Sequence, residues 1–374
     1  MFRFIHSSDL HLGKRFGNFE GDLPGRLREA RHAVLGKLAR HAREQNAPTV
    51  LLAGDTFDSE TPAPDVRRQA MTEMAQHEDI HWIILPGNHD SLQASELWQR
   101  MAGDAPPNVI LAVEPSPISV GPNAYVLPAP CTFRRPGRDL TEWMGESGLD
   151  DTALRIGLAH GAIQNFTEDA STHDVIAPDR ARQSGLDYLA LGDWHGAMQV
   201  DDRTYYSGTP EPDRFKHNRP GEAFVVSIAA RGAKPEMKAV PTGTFDWRSH
   251  DLHLMTASSA PAALDAILPE MGQRRHSLWK VRASGHTRVA EHSALLDRAE
   301  QTRHDFAWFD LSLDDLEIEY DPSDLDSIEL SGALREAANA LMADVNNAAL
   351  SAQDRSVAGS ALSRLYRHLQ ETSK

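Results

Sequence analysis

Residues 49–58 read Thr-Val-Leu-Leu-Ala-Gly-Asp-Thr-Phe-Asp. Thr49–Ala53 suits a buried strand, and Gly54-Asp55 then turns the chain, leaving Asp55 and Asp58 at the strand's carboxyl end. The same grammar recurs on either side. Phe2–His6 leads into Ser7-Ser8-Asp9-Leu10-His11, and His81–Leu85 leads into Gly87-Asn88-His89-Asp90. Leu154–Ala159 leads into His160-Gly161, and Leu186–Leu191 into Gly192-Asp193-Trp194-His195. Between the first two strands, Leu27, Ala30, Val34, Leu35, Leu38 and Ala42 recur at helical spacing over Arg26–Gln45. Asp65–His77, starting after Pro64, and Ser95–Ala102 are further helices. Strands alternating with helices predict a layered α/β domain. Tyr125–Leu127, Thr204–Ser207 and Ala223–Ile228 add more strands than one small parallel sheet holds.

Ligands collect beyond the carboxyl ends of strands in open α/β sheets. Asp9, His11, Asp55, Asn88, His160, Asp193 and His195 supply carboxylates, imidazoles and an amide oxygen, with no thiolate. Such donors suit Mn²⁺, Fe²⁺ or Zn²⁺. The set is too large for one tetrahedral site and suits two ions sharing a carboxylate, the arrangement used for in-line displacement at phosphorus. Each piece alone has a plainer reading: Asp-x-His arises by chance, Gly-Asp after a strand is usually a turn, and an isolated His160 would be structural. Five endings of one kind outweigh those readings.

The set Asp9-x-His11, Gly54-Asp55-x-x-Asp58, Gly87-Asn88-His89-Asp90, His160 and Gly192-x-x-His195 resembles the calcineurin-like metallophosphoesterase superfamily. Ser8–Gly13, Ala53–Asp58 and Gly87–Ser91 are closer still to its SbcD-like branch of DNA repair nucleases. The resemblance implies a four-layer αββα sandwich of two mixed sheets, with a small α/β capping domain and a C-terminal helical tail. It implies that Asp55 bridges two ions, that Asp9, His11 and His195 hold one, and that Asn88, His160 and Asp193 hold the other. His89 would face the phosphate as general acid or stabilise the leaving oxygen, and Asp90 would orient it. Asp58 would support the turn or a ligand histidine. The family's last motif usually has His where this chain has Asp193, so Asp193 is either a ligand or a support for one, and Mn²⁺ is the expected metal. The implied activity is Mn-dependent hydrolysis of DNA phosphodiesters, endo- or exonucleolytic, by two-metal activation of water. A phosphodiesterase or phosphatase acting on small molecules or nucleotides is the alternative; an adaptor with a vestigial site is disfavoured, since no core motif is missing. The resemblance also implies an SbcC-like coiled-coil ATPase as partner, docking on the C-terminal helices.

The 374 residues carry a net charge of −16, which argues against a nucleic-acid partner, because phosphate backbones select basic surfaces. Much of the acidity is local: Asp310–Glu329 contains nine acidic residues and no basic one. Basic residues near the motifs, namely Lys14, Arg15, Arg134, Arg135, Arg138, Arg214, Lys216 and Arg219, are the expected phosphate-binding rim, although single surface arginines are usually solvated. Trp194, Phe133 and Phe215 are candidate base-stacking side chains, with core packing the more ordinary role of each. DNA contact is therefore expected only at the pocket and its rim, and weak without a partner. Cys131 is the sole cysteine and reads as a small apolar residue in a reducing cytoplasm. No run approaches a membrane span and the N-terminus has no signal region, so a cytoplasmic location is expected.

The expected domains are residues 1–240 (catalytic), 241–320 (small α/β) and 321–374 (acidic linker and helical hairpin). The second is built on Ala262–Leu268, Ser277–Ala283, Val289–Gln301 and Phe306–Tyr320. In the third, Leu334, Ala338, Leu341 and Val345 mark one helix and Leu362, Leu365, Tyr366 and Leu369 another, with Ser351-Ala-Gln-Asp354 capping the latter. The hairpin either packs on its own domain or receives a partner, and a homodimer is possible.

Overall fold

The computed structural model describes residues 1–164, 175–319 and 332–372, without the side chains of 356 and 366–372. The expected linker over Tyr320–Ile328, His173, and the side chains of Tyr366 and Leu369 lie outside the described residues. The chain forms two compact units, Met1–Asp246 and Trp247–Lys374.

The first unit runs β1 (Phe2–Ser7), α1 (Leu23–Glu44), β2 (Thr49–Leu52), α2 (Pro64–Ala75), β3 (His81–Ile84), α3 (Ser95–Asp104) and β4 (Val109–Leu111). It continues through β5 (Ile118–Gly121), β6 (Ala124–Ala129), β7 (Leu154–His160), α4 (Arg180–Gln183), β8 (Tyr188–Gly192), β9 (Met198–Gln199), β10 (Thr204–Tyr206), β11 (Glu222–Ile228) and β12 (Glu236–Pro241). One sheet has the order β12-β11-β1-β2-β3-β4 and the other β5-β6-β7-β8-β10-β9. Both are mixed: β1, β2 and β3 pair in parallel, as do β7 and β8, while β11 and β9 pair antiparallel with β1 and β10.

The period of two along each strand explains the layering. On β1, Phe4 points between the sheets, where it joins Leu51, Ile83, Ile156, Leu158 and Tyr188. Its neighbour Ile5 points the other way, onto Val34, Leu35 and Leu38 of α1 and Met71 and Met74 of α2. Residues on the outer side of the second sheet, Leu127, Ala159, Leu189 and Leu191, pack with Met144, Ala181 and Leu186. Two mixed sheets therefore pack face to face, with helical layers on their outer sides. The five strand–turn units and three helices follow the sequence pattern; β4, β5 and β9 are only two to four residues long, and β12 is mostly exposed, so none shows a strand period.

One polar group bridges the sheets. His6, fully buried on β1, donates from Nε2 to Leu191 O (3.1 Å) and accepts at Nδ1 from Tyr188 Oη (2.9 Å). Burial pushes its pKa down to about 3, although the bond to Leu191 opposes the fall. The unfolded chain therefore takes up this proton first, and the stability tied to neutral His6 is complete above about pH 6.5 and lost as pH falls from there toward 3. His6→Gln is expected to be less stable at pH 7 but to lose stability less steeply between pH 6.5 and 4.5, by up to about 1.4 kcal/mol per pH unit. Urea unfolding at several pH values checks this, and parallel pH dependences for the two proteins refute it.

The second unit contains a three-stranded sheet, β13 (Asp246–Leu254), β14 (Ser277–Arg288) and β15 (Trp308–Glu319), ordered β13-β14-β15. Helices α5 (Ala260–Ile267), α6 (Met271–Arg274) and α7 (Val289–Arg303) accompany it, and Leu252, Leu264, Val281, Leu295 and Phe309 share its core. Helices α8 (Ala333–Val345) and α9 (Ala352–Thr372) pair through Ala338, Met342 and Leu362. Asp354 N–H donates to Ser351 Oγ (3.1 Å), the cap read from the sequence. Helix α9 also packs on α7 of its own unit. Among the described residues no helix is long and apolar enough to cross a membrane.

Candidate active site

The turns after β1, β2, β3, β7 and β8 converge beyond the carboxyl ends of the central strands. The parallel ladder of β1 and β2 continues past both strands: Asp9 N–H donates to Gly54 O (3.1 Å) and His11 N–H to Asp55 O (2.9 Å). Asp9, His11, Asp55 and Asp193 all adopt positive φ (55°, 44°, 53° and 101°). Left-handed backbone in non-glycine residues costs about 1 kcal/mol or more each and gathers where function requires it. Two glycines are obligatory because of close approach. A Cβ on Gly87 would lie 2.2 Å from Asp55 Oδ1, and one on Gly192 would lie 2.0 Å from Ala53 O.

Three imidazoles present Nε2 to a common centre, each with an acceptor near Nδ1. His160 Nδ1 donates to Ala53 O (2.8 Å), His195 Nδ1 to Asp213 Oδ1 (3.3 Å), and His11 Nδ1 lies 3.3 Å from Asp58 Oδ1. The Nε2 atoms of His11 and His195 are 3.2 Å apart, and His195 Nε2 lies 3.9 Å from Asp9 Oδ1. Asp55 Oδ2 sits 3.7 Å from His11 Nε2 and 3.4 Å from His160 Nε2. Asp9 is common to two groups, Asp9–His11–His195 and Asp9–Asp55–His160, and Asp55 reaches toward both His11 and His160. Asn88 Nδ2 donates to Asp193 Oδ1 (2.8 Å), which is 3.8 Å from His160 Nε2, and the Asp193 backbone N–H faces Asp9.

The centre concentrates negative charge. Burial alone would raise Asp55, yet His160 and His11 hold its carboxyl well below the usual range. Burial disfavours protonated His160, but Asp55, Asp9 and Asp193 outweigh that and hold its pKa well above the ordinary value. The buried atoms His160 Nε2 and Asn88 Oδ1 have no hydrogen-bond partner among the described residues. Asn88 Oδ1 aims a lone pair inward, and the proton that the carboxylates hold on His160 Nε2 stands where a cation would take its place; such a donor set, with acceptors behind the rings, fits divalent cations.

His89 sits at the edge of this centre. Its backbone N–H donates to Asp55 Oδ1 (2.8 Å), and its Nδ1 donates to Asp58 O (3.0 Å). The expectation that Asp90 orients His89 is corrected. Asp90 is wholly buried and accepts from the backbone N–H groups of Gly87 (2.7 Å) and Phe57 (3.0 Å), so it ties the two loops together. Burial and the charge of Asp55 push its pKa up to about 7. Asp58 supports both histidines, His89 through its carbonyl and His11 through its carboxylate.

The expected basic rim is only partly free. Lys14 is partly buried, and its Nζ is drawn to Asp213 Oδ2 (2.8 Å) and Asp58 Oδ1 (3.8 Å). Arg214 Nε pairs with Asp213 Oδ1 (2.9 Å) while Nη2 reaches 3.3 Å from His195 Nε2. Lys216 Nζ lies over the Trp194 ring (5.0 Å), which meets His217 edge-on. Arg15, Phe133, Arg134, Arg135 and Arg138 are exposed. Arg134, Arg135 and Arg138 form no ion pair among the described residues. Their loop begins at Cys131, whose backbone pairs with Pro86 and Leu92 and whose Sγ donates to His160 O (3.4 Å). Burial pushes the Cys131 thiol up to about 12, so it is inert.

Sequence reasoning misses Asp213. It is an acid inside Ser207–Arg214, a stretch read for its bases, and its acidity among Pro and Gly is the available signal.

A family model described as calcineurin-like phosphoesterase matches residues 2–227. One solved structure, titled as the crystal structure of TT1561 of Thermus thermophilus, aligns with a TM-score of 0.42 and 10% identity, covering 64% of this chain and 99% of that chain. A likeness that slight carries no functional argument.

Proposed function

The chain belongs to the calcineurin-like phosphoesterase family, and from that premise we propose that it is a Mn²⁺-dependent DNA nuclease of the SbcD-like type, acting in DNA repair in the cytoplasm. The coarser statement needs no proposal: it is a metal-dependent phosphoester hydrolase, and the family uses divalent cations. The observation that carries the reading is the convergence of three imidazole Nε2 atoms on Asp9 and Asp55, each Nδ1 facing an acceptor. His11, His195 and Asp9 would hold one ion; His160, Asn88 and Asp193 the other, with Asp55 shared between them. When bound, two such ions make water a competent nucleophile near neutral pH and neutralise charge on the phosphoryl oxygens.

The chain's own groups do the rest. Asp58 O holds Nδ1–H of His89 and so aims Nε2 at the site; as imidazolium the ring gives its Nε2 proton to the departing oxygen and is left as the neutral Nδ1–H tautomer. Asp55 accepts from the His89 backbone, so the acid and the shared carboxylate are set by one turn. Arg214, half-exposed beside His195, is placed to meet a phosphate oxygen. The exposed loop with Phe133, Arg134, Arg135 and Arg138 offers an aromatic ring and guanidinium groups to a strand, and Trp194 with Lys216 offers a second contact. Such a short basic rim on a chain of net charge −16 supports weak DNA binding by this chain alone. An SbcC-like coiled-coil ATPase docking on α8 and α9 would supply the missing affinity. The exposed Leu334 and Val357 on that hairpin support such a dock.

Purified protein with Mn²⁺ is expected to cleave single-stranded DNA or duplex ends, and to cleave a chromogenic phosphodiester. Turnover of the small ester with no DNA cleavage, alone or with the ATPase, defeats the nuclease reading and leaves a small-molecule phosphodiesterase. Comparing Mn²⁺ with Fe²⁺ and Zn²⁺ in the same assay tests the metal.

A further inference from the structure

Asp213 lies in the loop after β10, and its side chain is completely buried. Its Oδ1 receives His195 Nδ1 (3.3 Å) and Arg214 Nε (2.9 Å); its Oδ2 faces Lys14 Nζ (2.8 Å) and Arg31 Nη2 (3.2 Å). Arg31, itself 1% exposed on α1, donates from Nη1 to Leu10 O (2.7 Å), the carbonyl between Asp9 and His11. The loop carrying Asp213 is strapped to that same turn: Thr209 Oγ1 donates to Asp9 O (2.9 Å), and Ser207 Oγ meets Ser8 Oγ (3.0 Å). Lys14 also approaches Asp58, which stands behind His11. Two carboxylates therefore back two neighbouring histidines, and one lysine lies between them.

We infer that Asp213 is the positioning residue for His195: its carboxylate fixes the ring's tautomer and direction, so that Nε2 offers a lone pair beside His11 Nε2. A buried carboxylate behind a ligand imidazole makes it a better donor and holds it in place. Asp213 touches neither substrate nor ion and acts through His195. A plainer role competes, since buried Arg31 needs a counter-charge wherever it sits. That role predicts lost stability and no change in cation affinity of the folded protein. The inference rests on the reading of His195 as a cation ligand.

The test is a Mn²⁺ titration of the full chain, following free Mn²⁺ by electron paramagnetic resonance, with melting curves alongside. Asp213→Asn is expected to weaken Mn²⁺ binding by about 10- to 100-fold. In a His195→Ala background the same substitution is expected to have almost no further effect, because the carboxylate has lost the ring it acts through. Asp213→Glu keeps the charge that Arg31 and Lys14 need, and it is expected to fold and to bind Mn²⁺ with an affinity between wild type and Asn; it provides the comparison if Asp213→Asn does not fold. Wild-type affinity in the Asn variant, or in a folded Glu variant, overturns the inference, as does an equal loss with and without His195. A wild-type chain that binds no Mn²⁺ overturns the metal reading beneath it, which is a distinct result.

Discussion

His89→Ala is expected to lower the rate of DNA cleavage by about two to four orders of magnitude, with the fold and Mn²⁺ affinity retained. The retention follows from the contacts. The His89 backbone N–H, which any residue but proline supplies, makes the bond to Asp55 Oδ1, so truncating the side chain leaves that carboxylate anchored. What is lost is a ring whose Nδ1–H is held by Asp58 O and whose Nε2 gives a proton in the imidazolium form. A general acid matters most when the leaving oxygen is a poor leaving group. The variant should therefore lose far more activity on DNA, whose departing group is an alkoxide, than on a chromogenic ester whose phenolate leaves unaided. Equal losses on both substrates would mean that His89 acts on the phosphoryl group instead. Near wild-type DNA cleavage would remove it from the mechanism. Asn88→Ala separates from this variant, since it is expected to abolish cleavage by weakening the cation site itself.

Gly192→Ala is expected to remove both stability and cation binding, although it adds only a methyl group. The new Cβ would stand 2.0 Å from Ala53 O, 2.7 Å from His160 Nδ1 and 2.8 Å from Ser8 Cβ. The nearest obstacle is backbone, so no rotamer change relieves it, and Ala53 O is the acceptor that holds His160. Overpacking of this kind costs about 3 kcal/mol, which corresponds to a melting temperature lower by roughly 6–12 °C for a unit of this size. Gly103→Ala is the control: it lies in α3 with nothing within 4 Å of its added Cβ, and a gain of up to about 1 kcal/mol is expected from helix propensity. Melting curves and Mn²⁺ titration of the pair decide the matter; a Gly192→Ala protein with unaltered melting and affinity would show that the two sheets can part at this point without penalty.

The difference between these two positions shows what is legible in a sequence and what is not. Gly54, Gly87 and Gly192 stand next to ligand-type residues at strand ends, and local grammar alone marks them as turns. The strand-ending pattern also brings Asp9, His11, Asp55, Asn88, His160, Asp193 and His195 to one end of a sandwich, because parallel strands align their carboxyl ends. Asp90 follows the same grammar and misleads. Its neighbour in sequence is His89, but its carboxylate turns inward to the N–H groups of Gly87 and Phe57, where burial makes two backbone donors indispensable.

By itself the sequence determined the strand–turn units and which carboxylates, imidazoles and amide follow the strands, since strand period and turn chemistry act over a few residues; the αββα layering came from the family resemblance those turns carry. Only the tertiary structure decided which acceptor stands behind each histidine. Ala53 and His160 are 107 residues apart, Asp213 and His195 are 18 apart, and Lys14 reaches across the fold to Asp213 rather than to solvent. The chain offers 54 acidic side chains, and nothing local distinguishes the one that will be buried against a given ring. That choice is made by close packing, which exposes Arg134 and Arg135, commits Lys14 to ion pairs and leaves Asp213 with no exposed side-chain surface.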